Sequence, residues 1–152
     1  MTTATIATPT PLLPRRGAPV IECGTARIRA QARHLATVVS VYGEVTEANV
    51  DDVTACVRRF LLPETPIVLD ICGVHIRTTR GLELIGVIDE HCAAIRVPWL
   101  LVATDAMVEV LALCVAEDLP ATASSVPAAL HQLADWNAAW RSLLLPLFKK
   151  PA

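Results

Sequence analysis

Pro66-Ile67-Val68-Leu69-Asp70-Ile71 is a short apolar run carrying one carboxylate, and Cys72-Gly73-Val74-His75-Ile76-Arg77-Thr78-Thr79-Arg80-Gly81-Leu82 follows it. A continuous run of this length suits a central strand covered on at least one face. The loop through Gly73 and His75 leads into a helix predicted from about Thr79 to Ile95. Its apolar stripe is Leu82, Ile85, Ile88, Cys92 and Ile95, with Leu84 and Val87 flanking. A strand that feeds directly into a helix is half of a crossover unit.

The flanks repeat that unit. Upstream, Ala36-Thr37-Val38-Val39-Ser40-Val41-Tyr42 is rich in β-branched residues and closed by Gly43. Thr46 is the expected N-cap of a helix with Glu47 in its first turn. That helix has Val50, Val53, Ala55, Val57, Phe60 and Leu61 as its stripe, and Pro63 follows its end. Ala26 to Ala32 alternates crudely around Ile28 and is expected to be an exposed edge strand. Downstream, Trp99-Leu100-Leu101-Val102-Ala103 is a strand, and Thr104 or Asp105 caps a helix from Ala106 to about Glu117. A short strand fits next, before a helix that begins at Ser125 with Pro127 in its first turn and runs through Leu130, Leu133 and Trp136. Strands alternating with helices predict an α/β fold: a mixed sheet of four to five strands, about four helices, and right-handed crossovers.

The 152 residues fit one domain, with 53% hydrophobic and only 18% charged residues, enough to bury a sizeable core. Residues 1–20 are a Thr/Pro-rich stretch expected to be a flexible leader; 21–135 form the domain; 136–152 form an apolar helical extension. Thirteen basic against fifteen acidic residues give a net charge of −2, which argues against nucleic-acid binding. Neither Val97–Ala103 nor Ala106–Ala116, which contains Glu109, approaches the roughly 18 apolar residues of a membrane span. Without a basic region and apolar core at the N-terminus, a soluble cytoplasmic protein is expected.

Little in the chain reads as catalysis. The six glycines are scattered, so no phosphate loop precedes a helix. Five widely spaced cysteines contain no Cys-x-x-Cys pair, so no metal site is expected; Cys56, Cys92 and Cys114 sit in apolar patterns and are expected in the core. His34, His91 and His131 are expected on polar surface, whereas His75 lies in the loop where its near-neutral titration could serve a contact. Asp51-Asp52 and Asp89-Glu90 are adjacent in sequence and are expected to be solvated. No cofactor and no enzymatic activity are expected.

Three short motifs in order carry more. Gly43-Glu44-Val45 closes one strand, Asp70-Ile71-Cys72-Gly73-Val74 closes the next, and Gly81-Leu82 lies in the first turn of the following helix. This arrangement, over roughly residues 21 to 135, resembles the STAS family of bacterial anti-sigma factor antagonists. In that family the motifs read Gly-Glu-Leu-Asp, Asp-Leu-Ser-Gly-Val and Asp-Ser-Ser-Gly-Leu. The resemblance implies a regulatory binding module that docks on an anti-sigma factor, which is also a serine/threonine kinase, and is controlled by phosphorylation of a hydroxyl before the glycine. Counted without a gap, the acceptor falls on Thr79, with Thr78 second. The family's aspartates fall on Thr46 and Thr78, so both carboxylates are missing.

A hydroxyl at a helix start caps unpaired N–H groups, and the helix dipole favours a phosphate there. Arg77 and Arg80 flank the threonines, and cations at a helix N-terminus are mildly unfavourable. A nearby carboxylate, a bound anion or an acidic partner should offset them. Three roles stay open: capping alone, partner contact without modification, and a phosphoswitch muted by the two guanidiniums. His75, Arg77, Arg80, Glu44 and Thr46 are the candidate partner- or anion-binding residues. A nucleotide or small-anion sensor held by Arg77 and Arg80 is the alternative function.

Beyond the motifs, Trp136, Trp140 and Leu143 or Leu144 fall on one face of a continued helix. That face either folds back on the domain or forms a homodimer or partner contact through Trp136 and Trp140.

Overall fold

The strand expected to stop at Ile71 runs on to Ile76 in the computed structural model, which describes residues 19–114 and 120–148, without the side chains of 140, 141 and 143–148. In chain order the elements are β1 (Val20–Cys23), β2 (Ala26–Ala32), β3 (Thr37–Val45), α1 (Val50–Arg59) and β4 (Ile67–Ile76). A 3₁₀ turn (Thr79–Leu82) then precedes α2 (Glu83–Ile95), β5 (Trp99–Val102), α3 (Asp105–Cys114), β6 (Thr122–Ala123) and α4 (Val126–Phe148). The leader, apart from its last two residues, lies outside the described residues, as do 115–119 and 149–152.

The mixed α/β architecture holds, with six strands rather than four or five, in the order β1-β2-β3-β4-β5-β6. Strands β1, β2 and β3 pair antiparallel, and β3 through β6 pair parallel, as short crossovers through helices require. The additional strand is β1, folded onto β2 by a turn in which Gly24 takes φ +63. It covers Ala26–Ala32, so the expected edge strand is the second strand in, and its Ala26 and Ile28 are fully buried.

Period-two alternation divides the sheet between two cores. Ile67, Leu69 and Ile71 of β4, with Val39 and Val41 of β3 and Leu101 of β5, face α1 and α2 and meet Val53, Val57, Leu84 and Ile88. Val38, Val68, Leu100 and Val102 face the other way onto Ala129 and Leu133 of α4. Burial on both faces explains why β4 and β5 read as apolar runs rather than alternating strands.

Two starts differ from the expectation. The first helix begins at Val50, three residues after Glu47, and its N-cap is Asn49. The Thr46 hydroxyl instead accepts from Ala48 N (3.2 Å) in the turn before it. Asn49 is buried because its amide is recruited elsewhere: Nδ2 donates to the carbonyls of Cys23 and Glu44, both at 2.9 Å, and Oδ1 accepts from Thr46 N at 2.8 Å. One side chain thus ties the β1–β2 turn, the end of β3 and the start of α1 together.

The predicted 79–95 helix opens with the 3₁₀ turn, and its N-cap is Thr78, whose hydroxyl accepts from Arg80 N (3.3 Å). Gly81 is buried in that turn, and a Cβ there would lie 2.4 Å from Ile76 Cγ2, so only glycine lets the turn rest on the end of β4. Gly43 takes φ +88 where β3 passes the β1–β2 turn, and a Cβ would meet Thr25 O at 2.2 Å. Cys56 and Cys92 are buried as expected, but Cys114 is exposed. The reason lies in α3, whose buried residue among those described is Leu111 alone, leaving its last turn at the surface.

Candidate functional site

Parallel pairing sets the ends of β3 and β4 side by side, with Glu44 opposite His75 and Val45 opposite Ile76. Arg77 N continues the ladder by donating to Val45 O (2.8 Å). The chain then turns at Thr78, in extended geometry (φ −144, ψ 145), and enters the 3₁₀ turn. Glu44, Thr46, His75, Arg77, Thr78, Thr79 and Arg80 are therefore gathered at one end of the sheet. Trp136 is not among them, since it lies at the opposite end beside His34, Pro66 and Pro98. The Trp140 side chain lies outside the described residues.

The arginines are already engaged. Arg77 Nη2 lies 3.1 Å from Glu44 Oε2. Arg80 forms ion pairs with Asp51, with Glu47 (3.5 Å) and with Glu83 (3.6 Å). The hydrogen bond to Asp51, then its charge, raises the Arg80 guanidinium above its ordinary value, so it stays protonated. Nearby carboxylates are thus what offsets the cations at this helix start: Glu44 from β3, Glu47 from the turn before α1, Asp51 from α1 and Glu83 from α2, none of them at the missing motif positions. Four carboxylates surround two guanidiniums, so the patch carries net negative charge and is poorly suited to gathering a free anion. A phosphate placed here would have to take a guanidinium from Glu44 or from Glu47 and Asp51. The muting expected from two unoccupied arginines is therefore diminished.

The two threonines differ. Thr78 is half-buried, and its hydroxyl donates to Glu47 Oε2 while accepting from Arg80 N. Thr79 is exposed, and its hydroxyl has no hydrogen bond among the described residues. His75 is also exposed, in β4 rather than in a loop.

Thr79 borders an open groove of about 550 Å³ between the end of β4 and α3. Val74, Ile76, Leu82, Met107, Val110 and Leu111 supply its apolar lining; His75, Arg77, Thr78, Thr79 and Cys114 complete it. Val110 (53% exposed) and Leu113 (86%) extend the apolar surface along α3. An apolar trough with a charged, hydroxyl-bearing rim is suited to docking a macromolecule. Among the described residues no three of His, Cys, Asp and Glu converge as a metal ligand set, and no helix is long and apolar enough to cross a membrane.

Sequence reasoning missed Glu47, Asp51 and Glu83 as partners of Arg80, Asn49 as the tie behind them, and the α3 wall of the groove. Asp51 is exposed, as a solvated residue would be, yet it is paired. The available signal was Glu83, three residues after Arg80 and so within its reach at a helix start; Glu47 lies in the turn before α1 and shares no helical face with Asp51.

Comparison with known proteins agrees with this layout. The model of the STAS domain family matches residues 27–129. Osmosensory protein A of Mycobacterium tuberculosis is 42% identical over 142 residues, covering 91% of this chain and 90% of that protein. The crystal structure of an anti-sigma factor antagonist from Mycobacterium paratuberculosis superposes with a TM-score of 0.63 at 17% identity, covering 72% of this chain and 95% of the other.

Proposed function

The chain belongs to the STAS domain family, and on that premise we propose that it is an anti-sigma factor antagonist. It docks an anti-sigma factor in the cytoplasm through the groove between β4 and α3. The observation that carries this reading is the exposed Thr79 hydroxyl on the rim of an apolar trough, beside a Thr78 whose hydroxyl Glu47 already holds. Met107, Val110 and Leu111 supply buried contact area, while Arg77, His75 and Glu44 set orientation at the rim.

Thr79 is the regulatory acceptor, and its modifier is the serine/threonine kinase activity of the partner itself. Phosphorylation there adds about −1.5 to −2 charges to a rim whose cations are already paired, which opposes docking by an acidic contact on the partner. Thr78 is the second acceptor; a phosphate on it would face Glu47 and break the cap. The name of the mycobacterial relative makes osmotic change the first upstream signal to test.

Binding assays of the full chain against anti-sigma factors, followed by incubation with ATP and mass spectrometry, test both parts. A specific complex with phosphate on Thr79 is expected. The absence of any anti-sigma complex would overturn the function. A verified complex with no phosphate on Thr79 or Thr78 would retire the switch and leave the docking role.

A further inference from the structure

Two of the five cysteines meet where the first hairpin packs on the first helix. Cys23 ends β1, the outermost strand, immediately before the turn at Gly24. Asn49 Nδ2, at the start of α1, donates to the Cys23 carbonyl at 2.9 Å, so the backbone here is already held against the helix. The Cys23 thiol reaches the next turn, donating to Asp52 O at 3.8 Å. By helical spacing that carbonyl is also the acceptor of Cys56 N, so the Cys23 sulfur rests against the turn that carries Cys56. Cys56 belongs to the same apolar cluster, and its thiol is within hydrogen-bonding reach of the Cys23 thiol. Cys72 and Cys92 instead have Asp70 and Asp89 as their charged neighbours.

We propose that Cys23 and Cys56 form an oxidant-responsive dithiol, closed to a disulfide by hydrogen peroxide and reopened by thiol reductants. Cys23, 8% exposed on a strand whose outer edge is open, meets the peroxide, and Cys56, 5% exposed, resolves the product. The Cys23 sulfur attacks one peroxide oxygen and the O–O bond breaks. The leaving hydroxide takes the thiol proton, giving a sulfenic acid and water. The Cys56 sulfur then displaces the hydroxyl of that sulfenic acid, which leaves as a second water with the Cys56 proton. The two thiols lose two electrons in all, and the peroxide is reduced to two waters. Burial first, and then Cys23, push the Cys56 thiol above its ordinary value. It therefore stays protonated and slow toward free peroxide, and reacts when a sulfenic acid forms beside it. The new bond fastens the β1–β2 hairpin to α1 covalently. Neither sulfur borders the groove beside Thr79, so this chemistry is separate from the docking surface.

Treatment of the folded chain with hydrogen peroxide, then alkylation and non-reducing peptide mass spectrometry, tests the proposal. A linked Cys23–Cys56 peptide is expected, lighter by two hydrogens than its parts and lost on adding dithiothreitol. The oxidised chain should melt about 5 °C or more above the reduced one. Replacing the exposed cysteines, Cys72→Ser with Cys114→Ser, should leave the linkage in place. Cys56→Ala should abolish it and leave Cys23 as a sulfenic acid that dimedone traps. Oxidation of the parent chain confined to Cys72 and Cys114, conversion of Cys23 to sulfinic acid without a link, or a link from Cys23 to any other cysteine would overturn the proposal.

Discussion

Replacing Asn49 by alanine should cost more stability than any exposed substitution at the functional end of the molecule. Asn49 is 4% exposed, and its amide satisfies Cys23 O and Glu44 O at 2.9 Å while accepting from Thr46 N at 2.8 Å. Glu44 O keeps a second donor, the Thr25 hydroxyl at 3.1 Å, so its loss is partial. Cys23 O and Thr46 N lose the side-chain partner that Asn49 supplied. Each buried polar group left unsatisfied costs about 1–3 kcal/mol, which gives about 2–6 kcal/mol for the two. Asn49→Asp retains the shape and replaces both donors with an acceptor facing two carbonyls, so it separates hydrogen bonding from cavity formation. Urea denaturation with a constant m-value reads both changes. If Asn49→Asp is as stable as the parent chain, or Asn49→Ala loses less than about 1 kcal/mol, the account of Asn49 as the tie between hairpin, strand and helix is wrong.

Gly81→Ala should lose about 1–3 kcal/mol in the same assay, because the added methyl meets the branched Cγ2 of Ile76 at 2.4 Å, and neutral behaviour would show that the turn can lift off β4. Arg80→Ala should leave the melting temperature nearly unchanged, since exposed ion pairs contribute little, but should weaken partner binding; a large loss of stability would contradict this. Burial, and secondarily Asp89, push the Cys92 thiol from 9.0 up to about 11. The unfolded chain then releases that proton first as pH rises, so stability is full below about pH 9 and falls by about 2–3 kcal/mol between pH 9 and 11. Cys92→Ala should flatten that slope whatever it does to the baseline, and an unaltered slope would refute the assignment.

How much of this was legible in the sequence follows from the range of the forces involved. Strands β3, β4 and β5 and the helices between them were readable because apolar runs and 3.6-residue stripes are local patterns that tertiary packing reinforces. The three motif glycines were readable as positions, and the structure supplies physical causes: Gly43 passes under Thr25 O, and Gly81 lies on Ile76. Strand β1 escaped because four residues with a single Gly24 turn give little periodicity. The start of α1 escaped for a different reason. Thr46 is a good local cap, but Asn49 is claimed by carbonyls about 26 and 5 residues away in the chain, a pull that no local pattern encodes. Likewise the sequence showed that Arg77 and Arg80 needed compensation, yet could not say that Glu44, Glu47 and Asp51 provide it, because parallel pairing and helix packing bring them together; Glu83, three residues after Arg80, is the local partner. The exposure of Cys114 reflects the sparse packing of α3, which its apolar composition concealed.

The most direct test measures the affinity of the full chain for an anti-sigma factor, by titration calorimetry, for the parent protein, Val110→Asp and Thr79→Glu. Both substitutions lie at exposed groove positions. Weakening by about tenfold or more in each, with unchanged melting temperatures, is the predicted result. Equal affinity for all three proteins would mean that the partner docks elsewhere and that the groove beside Thr79 is not the functional surface.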